Sequence, residues 1–235
     1  MIADYFARVP LQGGSPGVMV DVGAQFGTSF KPYLNQGWRC IAFEPDSTKL
    51  AKLQQFLSNP QLTFLQAAVG EKPAASMQFY TSTESTGISS LVAFRHSHTP
   101  SESVPVTTLA IELPKLGIER IDYLKIDTEG YDLFVLRGHD WRIKPDVVMA
   151  EFDETKTRHV GTSYRDIGDL LLKQGYTVYA SEWQPLLRYG SGHTWQAMKP
   201  YPCDLDHPDA WGNFIAVCND ANVAAMKALV QPHMG

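Results

Sequence analysis

The sequence predicts an α/β domain in which a mostly parallel sheet carries helices on both faces. Two observations predict it. Short apolar runs that end in glycine or proline recur along the chain, and segments with helical periodicity lie between them. Runs that are apolar throughout belong to strands buried on both faces, which is the condition of a parallel sheet.

Gly17 to Gly23 (GVMVDVG) reads as the first buried strand, opening into a loop. Thr28 to Gln36 reads as a helix stopped by Gly37. Cys40 to Pro45 (CIAFEP) is a second strand, and its proline holds Glu44 extended. Asp46 to Leu57 is a helix capped by Asp46 or Ser47, with Leu50, Leu53 and Leu57 on one face. Leu62 to Val69 is a third strand. From Glu71 to Val104 the rhythm breaks; Met77 to Tyr80 reads as a short strand and Ser82 to Ser103 as a long polar loop.

The alternation then resumes. Ile121 to Asp127 (IDYLKID) is a strand, Tyr131 to Arg137 a helix closed by Gly138, and Val147 to Phe152 another strand. Tyr164 to Gln174 is an amphipathic helix with Ile167, Leu170 and Leu171 inward and Gly175 behind it. Tyr176 to Ala180 and Asn213 to Cys218 are the last two strands, separated by a second irregular stretch from Trp183 to Trp211. The 235 residues, 44% of them hydrophobic, are therefore expected to form one domain (1–235) with insertions at about 71–104 and 183–211.

A net charge of −5 without long runs of one sign speaks against a nucleic-acid surface or a polybasic membrane contact. No apolar run is long enough to span a bilayer, and the N-terminus has no signal-peptide pattern. Cys40, Cys203 and Cys218 are widely spaced and form no CxxC pair, so reduced thiols and a cytoplasmic location are expected. Oligomeric state has no signature in the sequence.

Three constellations carry chemistry. Asp21-Val22-Gly23-Ala24-Gln25-Phe26-Gly27 stands where strand one meets helix one; glycines there allow a sharp turn and close approach of the backbone to a ligand. It is not G-x-G-x-x-G, and an acidic residue before the loop would repel a pyrophosphate while tolerating a cationic ligand. Glu44 ends strand two, where a carboxylate can accept hydrogen bonds from both ribose hydroxyls; the bland alternative is a helix-start carboxylate favoured by the helix dipole. In Lys125-Ile126-Asp127-Thr128-Glu129-Gly130, three ionisable groups alternate at the end of strand four and point to one side. A Lys125–Asp21 or Lys125–Asp127 ion pair, with Asp127 and Glu129 capping the next helix, is the bland account; carboxylates over a reacting centre are the functional one.

Taken together, DVGAxxG, FEP, Ala67-Ala68-Val69-Gly70, LKIDTEGYDLFVLRG (Leu124 to Gly138), Pro145 and Glu151 resemble the FkbM-type methyltransferases in order and spacing, from about Val18 to Phe152. The KIDTEG block is the most specific part. The resemblance implies a Rossmann-like class I methyltransferase fold with a seven-stranded sheet and S-adenosylmethionine as methyl donor. It places Asp21, Gly23 and Gly27 around the methionine moiety, Glu44 on the ribose, and Ala67 and Ala68 near the adenine. The resemblance also implies that Asp127 and Glu129 face the methyl-transfer site. One departure is that Thr108-Leu109 is followed by Ala110, where the family usually has an aspartate.

The implied reaction is O-methylation of a hydroxyl on a sugar, glycan or natural product, so the expected partner is a small-molecule or glycan acceptor. A hydroxyl needs a base, and Asp127, Glu129, His96 or His98 could supply it. Asp127, Glu129 and Glu151 or Asp153 could instead hold a divalent metal, although no spacing demands one and none is assigned. Trp183, Tyr189, Trp195, Tyr201 and Trp211 can form an acceptor wall, a satellite core or an oligomer contact. With the Ser82–Ser103 loop this stretch would form a substrate lid. Two competing readings are an NAD-dependent oxidoreductase, since the glycine loop and Glu44 would also suit NAD, and a catalytically silent methyltransferase-like binding module.

Overall fold

A computed structural model of the chain describes residues 16–56, 58–186 and 192–233. The first strand, β1 (Val18–Val22), alternates strictly: Val20 and Val22 enter one apolar cluster, and Met19 enters a second on the opposite face. Helix α1 (Lys31–Leu34) is shorter than the predicted 28–36 because Pro32 is tolerated only in a first turn. Strand β2 (Arg39–Phe43) and helix α2 (Ser47–Phe56) follow the prediction, with Asp46 Oδ1 accepting the Thr48 and Lys49 amides at 2.9 and 3.3 Å. Leu50 and Leu53 are buried, while Leu57 lies outside the described residues.

The predicted third strand divides. β3 (Leu62–Leu65) pairs with β2 at the sheet edge, whereas β4 (Ala68–Val69) leaves to join a small second sheet. That sheet contains β5 (Ala74–Ser82) and β6 (His98–Thr107) in the order β4-β6-β5, around Ala68, Phe79, Val104 and Val106. The expected polar loop from Ser82 to Ser103 is therefore partly strand. Pro100 and Pro105 obscure β6 in the sequence, because proline inside a run argues against a strand. The β5–β6 ladder accommodates the irregularity with register shifts between Ala74 and Met77 and between Gln78 and Tyr80.

Helix α3 (Leu109–Lys115), whose cap Thr108 accepts the Ile111 amide, leads into β7 (Tyr123–Ile126), α4 (Asp132–Arg137) and β8 (Val147–Asp153). A short α5 (Glu154–Thr157) precedes the amphipathic α6 (Tyr164–Lys173), which buries Ile167 and Leu171. The chain ends with β9 (Thr177–Trp183), β10 (Trp195–Pro200), β11 (Trp211–Val217) and α7 (Asp220–Val230).

The main sheet has the order β10-β9-β11-β8-β7-β1-β2-β3. It contains eight strands rather than seven, because β10, in a stretch expected to be irregular, pairs antiparallel with β9 and buries Met198. From β3 to β8 every pairing is parallel; β11 runs antiparallel between β8 and β9. Chain order reverses at β1, with β2 on one side and β7 on the other. Ligands of such sheets bind at the carboxyl ends of the strands flanking that switch point. Helices α3, α4 and α6 contribute to the cluster on one face, and α1, α2 and α7 to the cluster on the other. Cys40, Cys203 and Cys218 are free thiols. No helix among the described residues is long and apolar enough to cross a membrane.

Candidate active site

At the switch point, Gly23 takes φ +81° and turns the chain out of β1. The next strand over is so close that a Cβ on Gly23 would lie 1.9 Å from the Asp127 carbonyl oxygen. The Gly23 and Ala24 amides donate to the Phe43 carbonyl at 3.0 and 3.1 Å, tying the turn to the end of β2. Glu44 follows at once. Its carboxylate accepts the Gln25 amide at 2.8 Å and the Asp46 amide at 3.0 Å, and it is 3% exposed. Burial pushes its carboxyl above the usual range, opposed by Lys49 and the two amides. Two bonds leave lone pairs on both oxygens, and Glu44 is one of the residues that line the cleft. The helix-start alternative is thus only partly met; the group that caps α2 is Asp46.

The cleft has a cavity volume of about 130 Å³. It brings together Gly23, Glu44, Ala67, Ala68, Asp127 and Glu129 from the sequence-predicted set. Asp21 and Gly27 are not among its walls. Asp21 is fully buried behind the Gly23 turn, and a Cβ on Gly27 would meet the Phe30 ring at 2.5 Å, so that glycine serves packing.

Lys125 joins the two halves of the floor. Its ammonium donates to the Gly23 carbonyl at 2.8 Å and lies 3.1 Å from Asp21 and 3.6 Å from Asp127. The expected Lys125 ion pair is therefore present. Its geometry falls short of a hydrogen bond to Asp21, whose carboxyl is pushed up by burial against the pull of Lys125. Helix α4 is served by neither Asp127 nor Glu129. Asp132 accepts the Thr128 and Gly130 amides, each at 3.2 Å, and fixes the turn from inside.

Glu129 sits at φ +58°, a left-handed conformation that costs a non-glycine residue about 1–3 kcal/mol. Its surroundings impose that conformation. The Ser90 hydroxyl lies 3.2 and 3.0 Å from the Thr128 and Glu129 carbonyls, and Lys156 lies 2.5 Å from the Glu129 carboxylate. Lys156 also stands 2.9 Å from Glu151 and 3.3 Å from Asp153, so one buried ammonium gathers three carboxylates. Burial raises Glu129 to about 7, with Lys156 opposing and Asp127 reinforcing. Burial pushes Glu151 well above its ordinary value, with Lys156 opposing and Glu129 reinforcing. Asp127, Glu129 and Glu151 each offer an oxygen within 4.8 Å of the others, the one such group among the described residues. The Lys156 ammonium contributes the positive charge beside it.

Several of these residues were not found from the sequence. Lys156 is distant from KIDTEG in the chain, and the only signal was a lysine three residues after the Glu151–Asp153 pair that ends β8. Ser90 and Leu91 come from the loop between β5 and β6, pinned by paired Tyr80–Ser90 backbone bonds of 2.9 and 3.0 Å. The loop therefore belongs to the cleft wall, beside Phe79 and Tyr131. His98 turns away from it, with Nε2 2.8 Å from the Ile88 carbonyl and its ring on Phe94.

Fold and cleft define an α/β protein with a cleft at the carboxyl edge of a mostly parallel sheet, at its switch point, where such folds hold their ligands. The family comparison specifies it further. Residues 21–178, well over half of the chain, match the model of the methyltransferase FkbM domain, and the protein belongs to the FkbM family of S-adenosylmethionine-dependent methyltransferases. No curated protein matches it significantly. Among solved structures it is similar to a precorrin-6y C5,15-methyltransferase from Geobacter metallireducens, with 14% identity, 93% of this chain and 86% of that one covered, and a TM-score of 0.46. Magnesium protoporphyrin IX methyltransferase from Synechocystis, solved with SAM bound, gives 12% identity, coverage of 93% and 78%, and a TM-score of 0.45. A 1,6-didemethyltoxoflavin-N1-methyltransferase from Burkholderia thailandensis, solved with its substrate and S-adenosylhomocysteine, gives 14%, 93% and 77%, and 0.42.

Proposed function

We propose that the protein transfers the methyl group of S-adenosylmethionine to a hydroxyl of a sugar, glycan or natural product. The observation that carries the reading is one cleft with a buried carboxylate, Glu44, on one wall and a carboxyl poised at about 7, Glu129, on the other. The walls suit the cofactor. Glu44 has acceptors for two vicinal hydroxyls, Ala67, Ala68 and Phe79 offer small and apolar surface to a flat base, and Asp127 favours a cation near the Gly23 turn. When bound, S-adenosylmethionine supplies a methyl already activated on a sulfonium. Asp21 and Gly27 support this site from behind, through Lys125 and Phe30.

The chain must then bind the acceptor in line, exclude water and remove a proton. Glu129 is assigned as the base: its carboxylate accepts the hydroxyl proton during attack, and its raised proton affinity matches a reaction near neutral pH. Asp127, 3.6 Å from the Lys125 ammonium, stands at the end of β7 and would offer negative charge to the cofactor's sulfonium. Ser90 and Lys156 position Glu129. Ser90→Ala is expected to lower kcat about 5- to 10-fold, the equivalent of about 1 kcal/mol, while S-adenosylhomocysteine affinity stays within twofold. An equal loss in both would remove the positioning role.

With Lys156 beside the carboxylates, the reaction is expected to need no divalent metal. The test is transfer of isotopically labelled methyl to a panel of hydroxyl-bearing glycosides and aglycones, run with EDTA and with Mg²⁺. Label in an ether-linked methyl at equal rates in both arms supports the reading; chelation that abolishes turnover, restored by Mg²⁺, contradicts the metal-free account. Exclusive labelling of amines contradicts O-methylation.

A further inference from the structure

The carboxyl edge of the sheet continues past the cleft as a row of tryptophans. Asp153 on β8 pairs with Trp211 on β11, Trp211 with Trp183 on β9, and Trp183 with Trp195 on β10. Residues directly opposed across strands share a face of the sheet. The three indoles therefore stand on the face of Asp153, whose carboxylate lies 3.3 Å from the Lys156 ammonium that holds Glu129. At about 4.8 Å per strand, the row reaches roughly 14 Å beyond β8.

The rings are held in place. Trp183 and Trp211 stack with centroids 5.5 Å apart and planes 28° apart, and the His193 ring meets both edge-on. The Trp211 indole N–H donates to the Gln184 carbonyl at 2.9 Å, and that of Trp195 to the Ser181 hydroxyl at 3.2 Å. With the Trp211 and Trp195 donors engaged internally, a ligand would meet the ring surfaces left outside the Trp183–Trp211 stack, the Trp195 ring above all. Trp195 is 38% exposed, and Trp183 and Trp211 are half-buried. Such amphipathic faces, flanked by polar side chains, suit a ligand with a flat C–H surface and hydroxyls at its rim.

We infer that the Trp211–Trp183–Trp195 row is the acceptor subsite, and that the acceptor is an oligosaccharide or glycoside of at least two hexopyranose units. A pyranose ring, about 5 Å across, is close to the strand spacing of about 4.8 Å, so two or three units laid along the row would direct a terminal hydroxyl toward Asp153 and the Lys156–Glu129 pair beside it. The inference rests on the methyltransferase reading of the cleft and names the substrate class of that site. A small aglycone acceptor would leave the row uncovered.

The test applies labelled protein, saturated with S-adenosylhomocysteine, to an array of α- and β-linked hexose, deoxyhexose and amino-sugar oligosaccharides. Calorimetry and tryptophan emission then follow the best ligand. Saturable binding with quenched emission is expected, weakened at least tenfold in Trp183→Ala, the equivalent of about 1.4 kcal/mol. Trp195→Ala, whose ring is the most exposed of the three, should weaken it in the same direction without loss of fold. S-adenosylhomocysteine affinity should stay within twofold in both variants. Cofactor binding with no oligosaccharide bound overturns the subsite and leaves the methyltransferase standing. The subsite is also overturned if both variants bind sugar normally, or if the wild type is a dimer that Trp195→Ala dissociates. Failure of wild-type cofactor binding removes the reading on which the inference rests.

Discussion

Glu129→Gln is expected to lower kcat by about 10²–10⁴, the usual contribution of a positioned general base, and to leave S-adenosylhomocysteine affinity nearly unchanged. Gln has almost the same shape, so Lys156 and Ser90 keep their neighbours while the group loses its capacity to take a proton. The pH profile provides the second readout. A base works unprotonated, and burial places Glu129 at about 7. In the wild type kcat should rise with unit slope through that region and level off above it. In Glu129→Gln the residual rate should lose that inflection. A Glu129→Gln variant within threefold of wild type would transfer the role to Asp127.

Gly23→Ala is the second large effect. Two penalties coincide at this position: φ is +81°, and the new Cβ would meet the Asp127 carbonyl at 1.9 Å. That atom is backbone at the end of β7 and cannot rotate aside, so the Gly23 turn and the KIDTEG segment must separate. The expected cost exceeds about 3 kcal/mol, or about 10 °C in Tm for a domain of this size. Binding of S-adenosylhomocysteine should become undetectable, because Gly23 and Asp127 both line the cleft. Gly27→Ala provides the contrast. Its Cβ would meet the Phe30 side chain, and the residue lies off the cleft wall, so stability should fall with a smaller change in affinity. Equal behaviour of the two variants would contradict the division between a ligand-facing and a packing glycine.

What was legible in the sequence was what neighbouring residues decide. Asp21-Val22-Gly23 marks a buried strand turning sharply, and Glu44 and Asp127 end apolar strands where charge is otherwise costly. Their convergence follows from the strand order β2-β1-β7; the strand-helix alternation implied parallel strands but not that order. Lys156 and Ser90 were not legible, because they reach Glu129 only through tertiary packing, from α5 and from the loop behind β5. The hairpin of β5 and β6 was hidden by Pro100 and Pro105, and β10 by a short polar run whose partner strand precedes it by a loop. The row from Asp153 to Trp195 depends on strand register, which no local pattern of tryptophans encodes; Tyr189, grouped with them in the sequence, lies outside the described residues.

The most direct test of the central claim, that this cleft holds S-adenosylmethionine with Glu44 on its ribose, is calorimetric titration of wild type and Glu44→Ala with S-adenosylhomocysteine and, separately, with NAD. The account predicts saturable binding of S-adenosylhomocysteine alone, weakened in Glu44→Ala by about 1.5 kcal/mol or more. Binding of NAD in its place, or a Glu44→Ala variant that binds S-adenosylhomocysteine as tightly as wild type, would contradict it.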